Sequence, residues 1–321
     1  EELRPIITYN YDNEHITPYS YEVELDDNRI KAEYALSHQS AIYRITFEAD
    51  KPAYIIVNSR NGSIHANENF ISGRQQLNNN TNVYVYIEPQ EKPVSTGILD
   101  NGAINTSKDN AEGVNTCAAW RFADGTTTVS LRYGISFISE EQAEKNLHRE
   151  LKDYNIKVLA EAGRQVWNEA LGRIKVEGGT ENDKTVFYSS FYRTFERPIC
   201  MSEDGRYFSA FDGKVHEDNG TPFYNDDWIW DTYRAAHPLR TLIDQQKEED
   251  IIASYLRMAE QMGNMWMPTF PEVTGDTRRM NSNHAVATIA DALAKGLKVD
   301  TAKAYEACRK GIEEKTLAPW S

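Results

Sequence analysis

From the N-terminus to about residue 138, apolar and polar positions alternate in short runs: YEVEL at 21–25, AIYRITF at 41–47, AYIIVN at 53–58, NVYVYIE at 82–88 and TTVSLRYGISFI at 127–138. Gly, Asn, Asp and Pro separate these runs, as in SRNGS and LDNGAINTS. A period of two sends successive side chains to opposite faces of an extended chain, so such runs between turn residues predict antiparallel strands in a sandwich or similar all-β layer. From EEQAEKNLHRELKDYN onward the period lengthens, with Leu147, Leu151, Val158, Leu159, Ala162, Val166 and Leu171 at helical spacings. Helices are then predicted almost throughout: VFYSSFYRTFER (186–197), WIWDTYRAAHPLRTLID (228–244), EEDIIASYLRMAEQM (248–262), AVATIADALAKGL (285–297) and AKAYEACRKGIEE (302–314). No fixed period marks a solenoid. The expected division is a β-sandwich domain over 1–139, a helical linker over 140–160 and a layered all-α domain over 161–321.

Composition narrows the class. A chain of 321 residues is ample for two domains, and 40% hydrophobic with 11% aromatic residues excludes a disordered polypeptide. A formal charge of −14 repels phosphate backbones and anionic lipid surfaces, so no nucleic acid partner is expected. No run is long and apolar enough to span a bilayer, and no cationic segment followed by an apolar one opens the chain, so neither membrane insertion nor a signal peptide is read. Cys117, Cys200 and Cys308 are few, distant and odd in number, which supports neither a thiol framework nor a zinc site.

Candidate chemistry concentrates in two places. NDDWIWDTYRAAHPLR (225–240) sets Asp226, Asp227 and Asp231 among Trp228, Trp230, Tyr233, Arg234 and His237. On one helix Asp227, Asp231 and Arg234 stand at i, i+4 and i+7, with Asp226 or Asp227 able to cap it and Pro238 expected to bend it just after His237. A solvated ionic face with two core tryptophans is one reading. The other is a sugar site, because aromatic faces take the C–H side of a pyranose while carboxylates and Arg take its hydroxyls. The second cluster, MGNMWMPTFPEVTGDTRRMNSNHAVATIADA (262–292), brings Trp266, Arg278, Arg279, Asn281, Asn283 and His284 into a segment between helices, where binding residues collect. Asn283 can simply cap the next helix, and a lone His284 is as readily a hydrogen-bonded structural histidine.

At these residues a family resemblance emerges. DGRYFSAFDGKVH (204–216), Y-x-x-D-x-x-WDTYRAAHPL (224–239), WMPTFP (266–271) and NHAVATIADALAKG (283–296), preceded by SHQSAIYRITFEADKPAYIIVN (37–58), resemble family 92 of the glycoside hydrolases, the calcium-dependent α-mannosidases. The short WDTY piece also occurs in other helical-barrel glycosidases, trehalases among them. The resemblance implies an antiparallel β-sandwich, incomplete at its N-terminus here, followed by the first part of an (α/α)6 catalytic barrel. It further implies exo-hydrolysis of α-mannosides in mannose-containing glycans with inversion, a Ca2+ cofactor, and a periplasmic or secreted location. Asp231 matches the family's WDT aspartate, expected to hydrogen-bond the sugar in the −1 subsite. Trp230 and Trp266 are expected to line that pocket, with Arg279 and His284 as further substrate contacts.

Some of the pattern does not match. The family's glycine-rich N-terminal segment with its GHGHT-like motif, the GNEP-like segment of its acid and the later G-N segment of its base are not found in these residues. The expectation is therefore a fragment truncated at both ends, or an enzyme whose remaining polypeptide is a second chain. No catalytic residue is assigned in this chain, no metal ligand is named, and Asp226, Asp227, Glu272 and Asp276 are not promoted to acid and base. By itself the chain is expected to release no mannose. Two other function classes stay open: a trehalase-like helical-barrel glycosidase and a non-catalytic carbohydrate-binding module.

Overall fold

The computed structural model describes residues 3–4, 10–11, 13–25, 29–78, 80–280 and 283–314, so Asn281 lies outside the described residues. Two compact units emerge, one of residues 1–77 and 82–170, the other of 78–81 and 171–321.

The first unit contains the strands His15–Ile16 (β1), Ser20–Leu25 (β2), Ile30–Leu36 (β3), Ser40–Thr46 (β4), Tyr54–Ala66 (β5), Ile71–Asn78 (β6), Thr81–Pro89 (β7), Ser95–Asp100 (β8), Ala103–Asn105 (β9), Asn110–Arg121 (β10) and Thr128–Ser136 (β11). They hydrogen-bond in the order β1-β2-β3-β4-β11-β7-β6-β5-β10-β8-β9. The longest pairing runs antiparallel from Asn110 opposite His65 to Arg121 opposite Tyr54. Alternation pays out as a continuous apolar layer: Ile55, Ile64, Ile71, Ile87, Ile98, Trp120, Phe122, Val129 and Leu131 pack together. Trp120 is fully buried, and its indole N–H donates to the Asn67 carbonyl at 2.7 Å, so its one polar atom is satisfied.

Glu140–Glu150 (α1) and Ile156–Leu171 (α2) follow. The Ser139 hydroxyl caps α1 by accepting from the Gln142 N–H, and Glu140 and Glu141 sit in its first turn where the helix dipole favours acids. Leu147, Leu151 and Ile156 pack on Ala35 and Ile42, so α1 and the start of α2 are packed within the first unit. Gly134 permits this: a Cβ there would stand 2.2 Å from the Ala143 carbonyl oxygen. Helical spacing alone does not ensure burial, for Val158 and Val166 on α2 are 62% and 65% exposed.

The second unit is mainly helical, as expected, but holds three small hairpins or strand pairs in what reads as irregular sequence. Its elements are Glu181–Arg193 (α3), Ile199–Cys200 (β12), Arg206–Ser209 (β13), Lys214–Glu217 (β14), Tyr224–Asn225 (β15), Ile229–Thr232 (α4), Ala236–Ile243 (α5), Gln245–Gln261 (α6), Pro271–Glu272 (β16), Gly275–Asp276 (β17), His284–Ala294 (α7) and Thr301–Glu313 (α8). The pairs are β12–β15, β13–β14 and β16–β17, too short to leave a period-two signature. The helix expected over 228–244 is two helices. The break falls at residues 233–235, ahead of the proline, and Pro238 lies in the first turn of α5, where its missing N–H leaves no intrahelical bond unmade. No described helix is long and apolar enough to cross a membrane.

Candidate functional site

Because α4 and α5 are separate, Asp227, Asp231 and Arg234 do not share one helix face. Asp227 precedes α4, whose N-cap is Trp228 without a side-chain bond, so neither Asp226 nor Asp227 caps it. Asp227 is instead fully buried and ion-paired: His237 Nε2 lies 2.8 Å from its Oδ2, and His237 Nδ1 lies 2.7 Å from Glu248 Oε1. Arg240 Nη1 reaches Glu248 Oε2 at 3.3 Å, while its Nη2 donates to the Arg197 carbonyl at 2.8 Å. The Tyr255 hydroxyl donates to Asp227 Oδ2, and Thr232 Oγ1 donates to Asp227 Oδ1 at 2.8 Å.

Two carboxylates thus face two cationic side chains away from water. Burial alone would lower the His237 pKa, but Asp227 and Glu248 outweigh it and raise it to about 9, so the imidazolium donates from both nitrogens. Burial would raise the Asp227 pKa, yet His237, Tyr255 and Arg240 hold it below the ordinary value. The Tyr255 hydroxyl is pushed well above its ordinary range by burial and by Asp227, and stays a donor.

The neighbouring acids are similarly engaged. Asp226, at a φ of 60°, pairs with Arg197, whose guanidinium lies 3.8 Å from the Trp228 ring centroid. Burial raises the Asp226 pKa, against the pull of Arg197. Asp276 accepts backbone N–H bonds from Thr269, Phe270 and Arg278, an arrangement that shapes the β16–β17 turn. Glu272 is paired with Arg279 at 3.3 Å. Each of these four acids is therefore engaged by neighbouring side-chain or backbone groups.

The sequence candidates separate into three groups. Trp230 and Asp231 sit together on α4 and both are exposed, Trp230 at 45%, so Trp230 is not a core tryptophan. Among the described residues Asp231 has no salt bridge or side-chain hydrogen bond. His284 opens α7 and packs its ring 4.0 Å from that of Tyr233, the residue that ends α4. Burial lowers the His284 pKa and Arg234 adds to the effect; its buried Nδ1 has no hydrogen-bond partner among the described residues. Asn283 is the N-cap of α7 but makes no side-chain cap bond. Arg279 is exposed and tied to Glu272, and Trp266 contacts Arg278 and donates to Glu314 at 3.3 Å. Among the described residues no hydrogen bond, ion pair or ring contact joins Trp266 to Trp230 or Asp231.

The buried cluster is what sequence reasoning passed over. Its signal is Glu248, three and four residues before the buried Ile251 and Ile252 and seven before Tyr255, hence an acid on the apolar face of α6. Calcium takes six to eight oxygen ligands, roughly, usually including several carboxylates. Among the described residues no three His, Cys, Asp or Glu side chains are grouped to hold an ion, and no calcium ligand or chemical step through calcium is assigned to this chain.

Likenesses to other proteins converge. A family 92 inverting mannosidase of Bacteroides thetaiotaomicron superposes with a TM-score of 0.86 at 29% identity, over 93% of this chain and 42% of that one. A second α-mannosidase of the same family and organism, in complex with mannoimidazole, gives a TM-score of 0.89 at 24% identity, over 98% and 45% respectively. An uncharacterized secreted glycosidase of Arthroderma benhamiae is 33% identical over 101 residues, 28% of this chain and 13% of that protein. The chain thus spans less than half the length of these relatives. Residues 3–136 match the glycosyl hydrolase family 92 N-terminal domain and residues 142–320 match the family's catalytic domain, and with motif order, fold and sequence in agreement the chain belongs to glycoside hydrolase family 92.

Proposed function

We propose that the protein acts as an exo-α-mannosidase on mannose-containing glycans, with inversion and calcium assistance, and that this chain supplies part of the −1 sugar subsite. The observation that carries the reading is the exposed pair on α4: a large indole left in solvent beside a carboxylate with no internal partner among the described residues. An apolar ring and an acceptor presented side by side suit a pyranose, whose C–H face stacks on the ring while a hydroxyl donates to the carboxylate. His284, held beside Tyr233, and Arg279 are further contacts in this reading; Trp266 belongs to it only if substrate reaches the Arg278 side of its ring. An inverting reaction needs an acid on the leaving oxygen and a base on a water across the ring. Neither role is assigned here. A periplasmic or secreted location is part of the proposal, consistent with a secreted relative.

The test is hydrolysis of an aryl α-mannoside against trehalose and α-glucosides by the full-length protein, with and without a chelator. Mannoside-selective, chelator-sensitive release is expected. Asp231→Ala should lower turnover at least about tenfold, since a hydrogen bond to a charged group is worth ~1.5–3 kcal/mol. Unchanged turnover in that variant would return Asp231 to an ordinary surface acid.

A further inference from the structure

Helix α4 has only four residues, Ile229–Thr232, and begins without a side-chain cap. So short a helix has no stability of its own, because nucleation is not repaid by propagation. Its shape must be imposed by what it is tied to. Ile229 is fully buried and anchors one side. On the other side, among the described residues, the side-chain hydrogen bond that tethers it is made by Thr232, whose hydroxyl donates to Asp227 Oδ1 at 2.8 Å and also lies 3.2 Å from the Trp228 carbonyl. Asp227 is in turn fixed by His237 from α5 and by Tyr255 from α6, and His237 is fixed by Glu248 at the start of α6. Arg240 ties the same cluster to the carbonyls of Thr194 and Arg197 after α3. Side chains from α4, α5 and α6 therefore converge on the Asp227 carboxylate, the segment after α3 joins through Arg240 and Glu248, and the link from α4 leads to the residue next to Asp231.

A cluster of buried ions is a poor way to gain stability, since desolvation offsets the pairing. It is an effective way to fix one geometry, because each bond is directional and leaving any partner unpaired is costly. We infer that Thr232, held by the buried Asp227–His237–Glu248 chain, is a positioning residue that sets the orientation of Asp231 toward the sugar. This rests on the mannosidase reading of Asp231. Thr232 touches no substrate in this account; it acts through its neighbour.

The experiment is a double-mutant cycle in the full-length protein, measured as kcat/KM for an aryl α-mannoside well below the melting temperature, with Tm recorded for every variant. Thr232→Val keeps the branched shape and removes the donor; Thr232→Ser keeps the donor. Thr232→Val is expected to lower kcat/KM by about tenfold and Thr232→Ser by less than about twofold, in line with the sensitivity of catalysis to small misplacements. In an Asp231→Ala background, Thr232→Val should cost less than about twofold more, because the residue it positions is already gone. A lowered Tm with unchanged kcat/KM in Thr232→Val, or a full tenfold loss added on top of Asp231→Ala, overturns the positioning role while leaving the site intact. No effect of Asp231→Ala alone overturns both the subsite reading and this inference.

Discussion

Trp120, Ile71 and Ala118 in the sheet unit are as deeply buried as Asp227, His237 and Glu248 in the helical unit, yet the two interiors are built from opposite materials. The first is apolar contact, in which the strands' alternation supplies most members and burial itself is the driving force. The second is a set of paired ions, in which burial is unfavourable and only complete pairing makes it tolerable. What differs is what each interior specifies. An apolar layer tolerates changes of shape if volume is kept, whereas a network of directional bonds fixes a backbone path. The sheet is a scaffold in this sense, and the ionic cluster lies directly behind the turn that carries Trp230 and Asp231.

The sharpest way to break the comparison is a change of charge without a change of size. Glu248→Gln removes one negative charge from between His237 and Arg240 and leaves the volume intact. Loss of one partner of a buried ion pair is expected to destabilise by about 3–5 kcal/mol. Urea unfolding followed by peptide-resolved hydrogen exchange should place the loss in α5 and α6. A loss under about 1 kcal/mol would mean that the cluster is not tightly paired.

Proton titration sharpens the contrast with no mutation. His237 has a folded pKa raised to about 9 from the ordinary 6.5, so its stabilising contribution is fully present below about pH 6.5 and is lost as pH rises through about 9. The groups facing it are Asp227, Glu248, Arg240 and Tyr255, and Asp227, with its pKa lowered, stays ionised throughout this window. His284, with its pKa pushed down, titrates below the window. Stability of the helical unit should therefore fall by up to about 1.4 kcal/mol per pH unit across the window, about 3 kcal/mol in all. In the sheet unit burial raises the pKa of the half-buried side chains of Cys117 and Tyr133, so they release protons above it. Hydrogen exchange corrected for intrinsic rates, compared at pH 6 and 9, reads the two units separately. Equal pH dependence in both would contradict the charged state of His237.

Legibility followed the same divide. The strands at 41–47, 53–58, 82–88 and 127–138 could be read because period-two burial is a local property, and each lies within or across an observed strand. The pairing of β4 with β11 or β5 with β10 is not local and left no trace in the pattern. In the helical unit, WDTY gave the position of Trp230 and Asp231, but a continuous helix was expected because apolar spacing runs unbroken across 228–244. The break at 233–235 accompanies a non-local demand: Asp227 and His237 must meet, and both must meet residues of α6. Glu248 was visible only as one acid among several in QQKEED, and its burial depends on partners eight or more residues away. The three short strand pairs escaped for a simpler reason, since two to four residues cannot display a period.

The smallest expected effect tests the apolar side. Ile71, at the start of β6, is fully buried within the sheet unit's apolar layer. Ile71→Val removes one methyl group from that layer and changes no charge or hydrogen bond, so the cost should be about 1 kcal/mol, the usual range for this truncation. Stability should fall equally at pH 6 and pH 9, because no titrating group is altered. Glu248→Gln should behave otherwise: with one of the carboxylates that hold His237 charged now neutral, its cost should depend on pH. A pH-dependent loss for Ile71→Val would show that the apolar layer and the ionic cluster are energetically coupled, and the contrast between the two interiors would then have to be redrawn as a single cooperative unit.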